Sequence, residues 1–441
     1  MQPLTTQKIK EILNITQDVF STTITEISTD SRKVTPTTLF IAIKGENFDG
    51  HDFIPSVIDK GVPLVISSKE IPNIDQSKII KVKDTLKALG TLASYNRSLY
   101  KGKVIALTGS SGKTTTKELL KEALSNYGKT YATTGNFNNH IGVPRSLLDI
   151  DMTSKYAIIE MGMSALGEIS YLTSLTKPDI ALVTNVYPMH IEYLKTLENI
   201  ATAKAEIFEG LTDKGIAIYN QDTSHTQILC NLAQKYTKNI YTYSSSSPQK
   251  DLLNLQDNSP HCVSNALAIM KIIEILNLPI ATALNTINNF TAPEGRGKKH
   301  LLTIQNKNIL LIDDSYSGQP EAMKLAIQSL GALKTQGRKI ALLGKMSELG
   351  DYSKQAHKEI GLTLKENNID IVIGVCEETK DILSELNPTT TGYYFEDYTQ
   401  VTDFLLNNLL QDNDTILIKG SHYSSKVYMV ANNLKNYQTE A

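Results

Sequence analysis

The chain has 441 residues, enough for roughly two to four domains, and its net charge of -2 leaves no basic excess for nucleic acid or an anionic membrane. Its three cysteines are widely spaced and odd in number, which argues against a disulfide framework or metal cluster and fits a reducing compartment. The N-terminus lacks the apolar core of a signal peptide, and no apolar run approaches the roughly 20 residues that cross a bilayer. These features predict a soluble, cytoplasmic protein with no nucleic-acid partner and no membrane span.

The first block of the chain, residues 1–83, is predicted to be a small α/β domain. Short β-type runs predict strands at Leu39–Ile43, Pro63–Ile66 and Ile79–Val82, and the pattern at His51–Lys60 predicts a helix.

The second block, residues 84–308, alternates β-type runs with helical periodicity. A helix is predicted near Asp84–Tyr100. The strands are predicted at Val104–Leu107, Tyr156–Glu160, Ile180–Thr184 and Ile216–Tyr219. Such alternation is typical of a mostly parallel, doubly wound sheet.

The third block, residues 309–441, repeats this alternation and is predicted to be a Rossmann-like α/β domain. Its strands are expected at Ile309–Asp313, Ile340–Leu343, Ile369–Val375, Tyr393–Phe395 and Thr415–Ile418. No GxGxxG sequence follows the first of these strands, so no dinucleotide is predicted.

A phosphate-binding loop is the clearest motif of the chain. The strand Val104–Leu107 runs directly into Thr108-Gly109-Ser110-Ser111-Gly112-Lys113-Thr114-Thr115-Thr116, and a helix is predicted at Lys117–Tyr127. Glycines let backbone N–H groups approach phosphate oxygens, and the helix N-terminus adds partial positive charge. Lys113 would reach the β- and γ-phosphates, and the Thr114 hydroxyl would bind Mg²⁺. An incidental glycine-serine turn is the simpler alternative. The order of strand, glycine loop and helix instead predicts a binding site for a nucleoside triphosphate.

Three residues that follow the phosphate loop in the sequence, Glu160, His190 and Lys204, are candidates for metal or phosphate chemistry. Glu160 ends a predicted strand, where ligands lie in α/β sheets. His190 lies in the loop after the next strand, and Lys204 lies beside the apolar stripe of a predicted helix, Asn199–Phe208. Each residue taken alone is more simply explained as a solvated side chain.

Taken together, these residues resemble the Mur ligases, the ATP-dependent amino-acid-adding enzymes of peptidoglycan synthesis. The resemblance covers nearly the whole chain and includes the phosphate loop, with two residues between its glycines instead of the common four. Two further stretches, Thr29–Phe53 and Gly135–Pro144, resemble the branch that adds D-alanyl-D-alanine to UDP-N-acetylmuramoyl-tripeptide. An ATP-dependent amide ligase, working through an acyl phosphate and releasing ADP and phosphate, is therefore expected.

The resemblance implies roles for residues that spacing alone does not assign. Ser31 and Arg32 would lie near the uridine diphosphate, in a UDP-sugar-binding first domain. The acceptor substrate would also contact Asn136, Asn138 and Asn139.

For catalysis, the resemblance implies that Lys113, Lys204 and His190 are the catalytic residues. Magnesium would be held by Thr114, Glu160, His190 and Lys204, with Lys204 carbamylated by CO₂ into a carboxylate-like ligand. The nucleotide would contact the loop residues Gly109, Ser110, Ser111, Gly112, Lys113, Thr114 and Thr115, together with Asn265, Arg296, Asp313 and Tyr316. The partners would be the two small-molecule substrates, and the chain would act as a monomer.

Three segments of the third block depart from the family pattern. The chain has Tyr316-Ser317-Gly318-Gln319-Pro320 for Tyr-Asn-Ala-Asn-Pro, Gly344-Lys345-Met346 for Gly-Asp-Met, and Lys419-Gly420-Ser421-His422 for Lys-Gly-Ser-Arg. These departures concern the nucleotide and dipeptide contacts rather than the phosphate loop.

Three alternatives remain at this level. A folylpolyglutamate synthase shares the short loop, but it lacks a UDP-sugar domain such as Asp30–Phe53 suggests. A GTPase switch would need an Asn-Lys-x-Asp motif, which the sequence lacks. An inactive nucleotide-binding ligase paralogue is the third. The third residue of the tripeptide, diaminopimelate or lysine, also stays open.

Overall fold

Each predicted block folds around its own β-sheet in the computed structural model, which describes residues 1–45, 47–211 and 214–437. The sheets follow one another along the chain, and helices pack on their faces. The predicted three-domain α/β architecture is thereby confirmed.

The N-terminal sheet is parallel and small, with the order β3-β4-β5-β6. A short antiparallel pair, which the sequence did not reveal, precedes it. The predicted helix His51–Lys60 is divided into a 3₁₀ turn, Gly50–Phe53, and an α-helix whose first turn contains Pro55. The elements are β1 (Leu4–Thr5), α1 (Thr6–Leu13), β2 (Thr23–Ile24), β3 (Glu26–Ser28), β4 (Thr38–Ile41), α2 (Ile54–Asp59), β5 (Leu64–Ser67), a 3₁₀ turn (Gln76–Lys78) and β6 (Ile79–Lys81).

A long helix, α3 (Thr85–Leu99), links the first sheet to the second. The Asp84 side chain accepts hydrogen bonds from the backbone N–H groups of Leu86 and Lys87 and so caps the helix N-terminus. Leu89 and Leu92 on its inner face are fully buried, in a core that contains residues from both sheets.

The central sheet has the order β12-β11-β10-β7-β9-β8, and every neighbouring pair is parallel. This confirms the predicted doubly wound arrangement. Its strands are β7 (Lys103–Thr108), β8 (Thr130–Ala132), β9 (Tyr156–Glu160), β10 (Ile180–Val183), β11 (Ile216–Asn220) and β12 (Asn239–Tyr243). The two edge strands, β8 and β12, were not predicted, because they are short or only partly buried.

Two helices of the central domain begin earlier than predicted. The helix expected at Lys117–Tyr127 starts at Lys113, directly after the left-handed Gly112. The helix expected at Asn199–Phe208 starts at Leu197, because the Thr196 hydroxyl caps it, and it tightens into a 3₁₀ turn after Ala205. The helices are α4 (Lys113–Ser125), α5 (Gly142–Leu148), α6 (Glu168–Thr176), α7 (Ile191–Leu194), α8 (Leu197–Ala205), α9 (Thr226–Ala233), α10 (Pro260–Ile275) and α11 (Ile280–Asn288), with 3₁₀ turns at Glu206–Gly210 and Pro248–Leu252.

The C-terminal sheet has the order β13-β14-β18-β15-β16-β17 and opens with an antiparallel hairpin. Gln305 and Asn306 form the tip of the hairpin, both in the left-handed region that tight two-residue turns require. This sheet therefore begins at Lys298, before the predicted block boundary at residue 309. Its strands are β13 (Lys298–Ile304), β14 (Lys307–Asp314), β15 (Lys339–Gly344), β16 (Ile371–Val375), β17 (Thr391–Phe395) and β18 (Thr415–Lys419).

Helices cover both faces of the C-terminal sheet, as the separate apolar clusters on its two sides show. Among the described helices, none combines the length and apolar character that crossing a membrane requires. The helices are α12 (Pro320–Ala332), α13 (Ser353–Glu366), α14 (Lys380–Leu383), α15 (Val401–Phe404), α16 (His422–Ser425) and α17 (Tyr428–Tyr437), with 3₁₀ turns at Gly350–Tyr352 and Glu377–Thr379 and a π-helical turn at Leu405–Leu409.

Candidate active site

The predicted phosphate loop lies at the carboxyl end of β7, in the middle of the central sheet. A Cβ atom on Gly109 would lie 1.9 Å from Oγ1 of Thr184, so only glycine fits there. Gly112 has a φ of 75°, a conformation that glycine adopts without steric cost. The Asn185 side chain accepts a hydrogen bond of 2.8 Å from the Ser111 N–H. The loop is thus held open by the end of the neighbouring strand.

Lys113 bends back over this loop. Its Nζ donates to the carbonyl oxygen of Gly109 at 2.8 Å. Burial is the main cause that lowers the pKa of Lys113 to about 8, and the nearby Glu160 carboxylate opposes this shift. The ammonium is therefore poorly solvated where a phosphate would stabilise it.

Glu160 is fully buried at the end of β9. Its Oε1 accepts hydrogen bonds from Asn138 Nδ2 at 2.8 Å and from Thr114 Oγ1 at 3.4 Å. Its Oε2 has no hydrogen-bond partner among the described residues, although Nζ of Lys117 lies 3.8 Å away. A buried carboxylate oxygen without a donor is a natural ligand for a hard cation.

Lys204 lies on α8 and is 2% exposed. Among the described residues its Nζ has no hydrogen-bond or ion-pair partner. Burial, with a contribution from the charge of Lys113, holds the pKa of Lys204 well below its ordinary value. Burial thus disfavours the charged form of Lys204, in contrast to the solvated cation that spacing alone would suggest.

His190 precedes the short helix α7 and has a left-handed backbone, with a φ of 54°. Its Nδ1 lies 2.5 Å from Oε2 of Glu348, a residue of the C-terminal domain. His190 is therefore held by a contact between domains that the sequence could not reveal.

The nucleotide side of the loop is formed by residues from two domains. Asn265 on α10 lies against Gly112 and accepts a hydrogen bond of 3.1 Å from the Thr116 hydroxyl. Arg296 donates to Thr114 Oγ1 at 3.3 Å, and its guanidinium lies 4.0 Å from the centroid of the Tyr316 ring. These contacts bring Asn265, Arg296 and Tyr316 together beside the loop, although they are far from it in sequence.

Two cavities flank Arg296. The larger, about 640 Å³, is lined by the loop residues Ser111, Gly112 and Thr115 and by Asn265, Asp314 and Lys419. The smaller, about 450 Å³, is lined by Thr114, Gly135, Asn136 and Tyr316. The larger cavity has the dimensions of a small-ligand site and lies where a nucleotide on the loop would extend.

Asp313 is turned away from these cavities. Lys435 on α17 donates to its Oδ2 at 2.8 Å, and the Ser315 hydroxyl donates to its Oδ1 at 2.5 Å. Its neighbour Asp314 lines the larger cavity and pairs with Lys419 at 2.6 Å.

The candidate substrate residues are in different surroundings. Asn138 donates to Glu160, whereas Asn139 accepts from the Gly142 N–H at 2.9 Å and stabilises the start of α5. Arg32 is exposed and donates twice to Asp30. None of the hydrogen bonds and ion pairs of the described residues joins Ser31 or Arg32 to the phosphate loop.

Lys117 is a residue of the site that sequence reasoning missed. It is fully buried on α4, and its Nζ donates to the carbonyl oxygens of Thr133 at 2.7 Å and Gly135 at 3.0 Å. Its position four residues after Lys113, on the same helical face, is the signal that could have revealed it.

The chain matches three family models in succession. Residues 23–97 match the Mur ligase family, catalytic domain. Residues 107–292 match the Mur ligase middle domain. Residues 301–422 match the Mur ligase, glutamate ligase domain.

A UDP-N-acetylmuramoyl-tripeptide–D-alanyl-D-alanine ligase of Buchnera aphidicola subsp. Baizongia pistaciae is 35% identical over 439 residues, covering 95% of this chain and 94% of the relative. MurF from Acinetobacter baumannii is similar in structure, with a TM-score of 0.88, 29% identity and 99% coverage of both chains. MurF ligase from Thermotoga maritima, solved in complex with ADP, gives a TM-score of 0.80 at 26% identity and covers 94% of this chain and 98% of its own.

Escherichia coli FolC, a representative of the folate alternative, is 16% identical with a TM-score of 0.59 and covers 80% of this chain and 94% of its own, which shows a common fold alone. The similarity to the tripeptide ligases instead extends through both sequence and structure over nearly the full length. With its three matched domains and its intact phosphate loop, the chain belongs to the Mur ligase family.

Proposed function

We propose that this chain is the ATP-dependent ligase that joins D-alanyl-D-alanine to UDP-N-acetylmuramoyl-tripeptide, giving the UDP-linked pentapeptide, ADP and phosphate. The observations that carry the proposal centre on the phosphate loop. Lys113 lies over this loop, a buried oxygen of Glu160 has no hydrogen-bond donor among the described residues, and the buried Lys204 lies within range of the Lys113 charge. His190 is in the loop after β10, the strand that pairs with β7.

Amide formation from a carboxylate requires activation, because a carboxylate is a poor electrophile. In the proposed reaction, the tripeptide carboxylate attacks the γ-phosphorus of ATP, and ADP leaves. The free amine of the dipeptide then attacks the acyl phosphate, loses a proton and expels phosphate. The protein contributes positioning and charge stabilisation, since the groups that meet in the first step are both anions.

Lys113 has the role of a phosphate clamp in this proposal. Its Nζ already lies over the loop, 2.8 Å from the Gly109 carbonyl, and would exchange this contact for phosphate oxygens. Asn265, Arg296 and Tyr316 would contact the rest of the nucleotide, whereas Asp313 lines neither cavity and is held by Lys435. Asn136, Asn138, Asn139, Ser31 and Arg32 would contact the acceptor.

The residues around Glu160 fit a magnesium site. Its Oε2 is buried without a hydrogen-bond donor, and the Thr114 hydroxyl lies 3.4 Å from its Oε1. Thr114, Glu160, His190 and carbamylated Lys204 would hold the metal. A divalent cation at this position would offset the repulsion between the acceptor carboxylate and the phosphates.

Lys204 fits carbamylation because its burial lowers its pKa and so favours the amine form that reacts with CO₂. Its nitrogen would attack the carbon of CO₂ and lose one proton, which turns a lysine into a carbamate anion. This conversion would remove the cost of an unpaired buried amine and add an oxygen ligand.

A cytoplasmic location belongs to the same proposal. The three cysteines are all free, and this agrees with a reducing compartment.

The proposal is tested by phosphate release from ATP. We expect release only when UDP-tripeptide and D-alanyl-D-alanine are both present, and comparison of the diaminopimelate and lysine tripeptides identifies the acceptor. Release that requires a folate acceptor would favour the folylpolyglutamate alternative. Nucleotide binding without release under any of these conditions would favour an inactive paralogue.

A further inference from the structure

The C-terminal domain contacts the candidate catalytic centre through a short segment after β15, Glu348–Gly350. Oε2 of Glu348 lies 2.5 Å from Nδ1 of His190, and its carbonyl oxygen accepts a hydrogen bond of 3.4 Å from the Glu192 N–H. Ile191 packs against the apolar cluster that contains Leu349. Glu348 thus contacts the central domain through both its side chain and its backbone, next to the apolar contact of Ile191.

The backbone on both sides of this contact is unusual. His190 has a φ of 54° and Glu348 a φ of 61°, in the left-handed region that residues other than glycine seldom adopt. Gly350 has a φ of 53°, and a Cβ atom there would lie 3.2 Å from Cγ of Glu192. Left-handed residues at such positions persist only when their surroundings hold them, and clusters of them are typical of clamps and switches.

The contact leaves one nitrogen of the His190 ring available. A carboxylate at Nδ1 favours a proton on that atom, which leaves Nε2 as the ring nitrogen that could bind a metal. Among the described residues, Nε2 has no partner. Carboxylates that hold a ligating histidine in this way fix both its tautomer and its ring orientation.

We propose that Glu348 is a positioning residue that couples docking of the C-terminal domain to the orientation of His190. This inference rests on the proposed function, in which His190 is a metal ligand. The centre would be complete only when the domain that carries Glu348 is docked. Attack by water on an acyl phosphate would then be limited, because the activating residues are aligned only in the docked enzyme.

Glu348→Ala and the isosteric Glu348→Gln test this coupling in the full-length enzyme. For Glu348→Ala we expect about 10- to 100-fold lower kcat, the range typical of carboxylates behind a ligating histidine. The KM for ATP should stay close to the wild-type value, because the phosphate loop is untouched. Glu348→Gln should retain part of the activity, since an amide oxygen can still accept from Nδ1–H.

Domain docking is measured separately by small-angle X-ray scattering with an ATP analogue and UDP-tripeptide. We expect Glu348→Ala to show less compaction than the wild type. Glu377→Gln is the matched control, because Glu377 is an exposed carboxylate of the same domain and pairs with the neighbouring Lys380. The control should behave as the wild type in both assays.

Wild-type kcat in Glu348→Ala, or reduced kcat with unchanged compaction, would overturn the coupling. An equal loss in the Glu377→Gln control would do the same. Compaction is measured without turnover, so the two readouts are independent. Compaction of Glu348→Ala can equal that of the wild type while ligase activity is normal, and it can be reduced even when the assumed substrates are not turned over. Failure of the coupling is thereby separated from failure of the proposed function.

Discussion

At the residue scale, the site contains two lysines whose surroundings give them different chemistry. Lys113 makes one hydrogen bond to its own loop and has a pKa of about 8. Lys204 is almost fully buried, has no polar partner among the described residues and has a pKa well below its ordinary value. The first is suited to binding an anion, and the second is suited to reacting as an amine.

Replacing Lys113 with alanine would remove the charge that, in the proposed mechanism, faces the transferring phosphoryl group. We expect a rate loss of at least about 10²- to 10³-fold, the typical cost of losing one transition-state donor. Lys121→Ala is the control, because Lys121 is an exposed lysine on the same helix. Steady-state phosphate release measures both, and near-normal turnover of Lys113→Ala would reject the assignment of the loop.

The lowered pKa of Lys113 also predicts a pH dependence for nucleotide binding. In the free enzyme this lysine loses its proton as the pH rises through about 8, and bound phosphate would raise its pKa again. ATP affinity should therefore fall above pH 8, and binding near pH 9 should take up about one proton. Calorimetry in buffers of different ionisation enthalpy measures the uptake, which should be absent in Lys113→Ala.

The proposed carbamylation of Lys204 predicts chemical rescue. Lys204→Ala should lose activity, because the oxygen ligand is missing, and short carboxylic acids should restore part of it by occupying the vacated space. The same acids should not restore Lys113→Ala, which lacks a cation rather than an anion. Unchanged activity in Lys204→Ala, without added acid, would rule out the carbamate.

At the scale of single elements, α3 is the connection on which the first two domains depend. It packs against α1 of the first domain and against α5 and α6 of the second. Its N-terminus is capped by Asp84, whose Oδ1 accepts from Leu86 N–H at 2.9 Å and Lys87 N–H at 3.0 Å. The cap therefore contributes to the stability of two domains at once.

Asp84→Ala should lower the free energy of unfolding by about 1 kcal/mol, the usual cost of losing such a cap. Asp84→Asn is the control, because an asparagine oxygen can accept the same two bonds, and it should be close to wild type. Urea unfolding followed by circular dichroism gives both values. Equal stability of the alanine and asparagine variants would show that the cap is not stabilising.

At the scale of the whole molecule, the apolar cores show which parts are joined firmly. One cluster contains Leu39 of the first sheet, Leu92 of α3, and Ala106 and Ile159 of the central sheet. The C-terminal sheet instead has its own clusters. The contact of its domain with the active centre includes the polar pair of His190 with Glu348. Polar contacts of this kind can be exchanged for water at lower cost than a shared apolar core.

We therefore expect the C-terminal domain to move as one body while the first two domains stay together. Binding of an ATP analogue with UDP-tripeptide should reduce the radius of gyration measured by small-angle scattering. The analogue alone, without the acceptor, is the comparison. Identical profiles with and without both ligands would contradict the motion.

Features that depend on neighbours in sequence were predictable. The phosphate loop, the strand that ends in Glu160 and the alternation of both large domains follow from glycine positions and from apolar periodicity. The two early helix starts and β13, the first strand of the hairpin at Lys298–Asp314, were missed. A single capping residue and an exposed edge strand change the apolar pattern little. The exact start of a helix and the presence of such a strand are therefore hard to predict from sequence.

The sequence by itself determined the fold class, the phosphate loop and the family resemblance, because these depend on local residue order. Only the tertiary structure decided that Lys204 is buried with no polar partner among the described residues, that Lys117 holds the chain beside Glu160, and that Glu348 reaches His190 from another domain. Burial and the contacts between distant segments set the charge and orientation of a side chain. Neither quantity is fixed by the residues next to it in the chain.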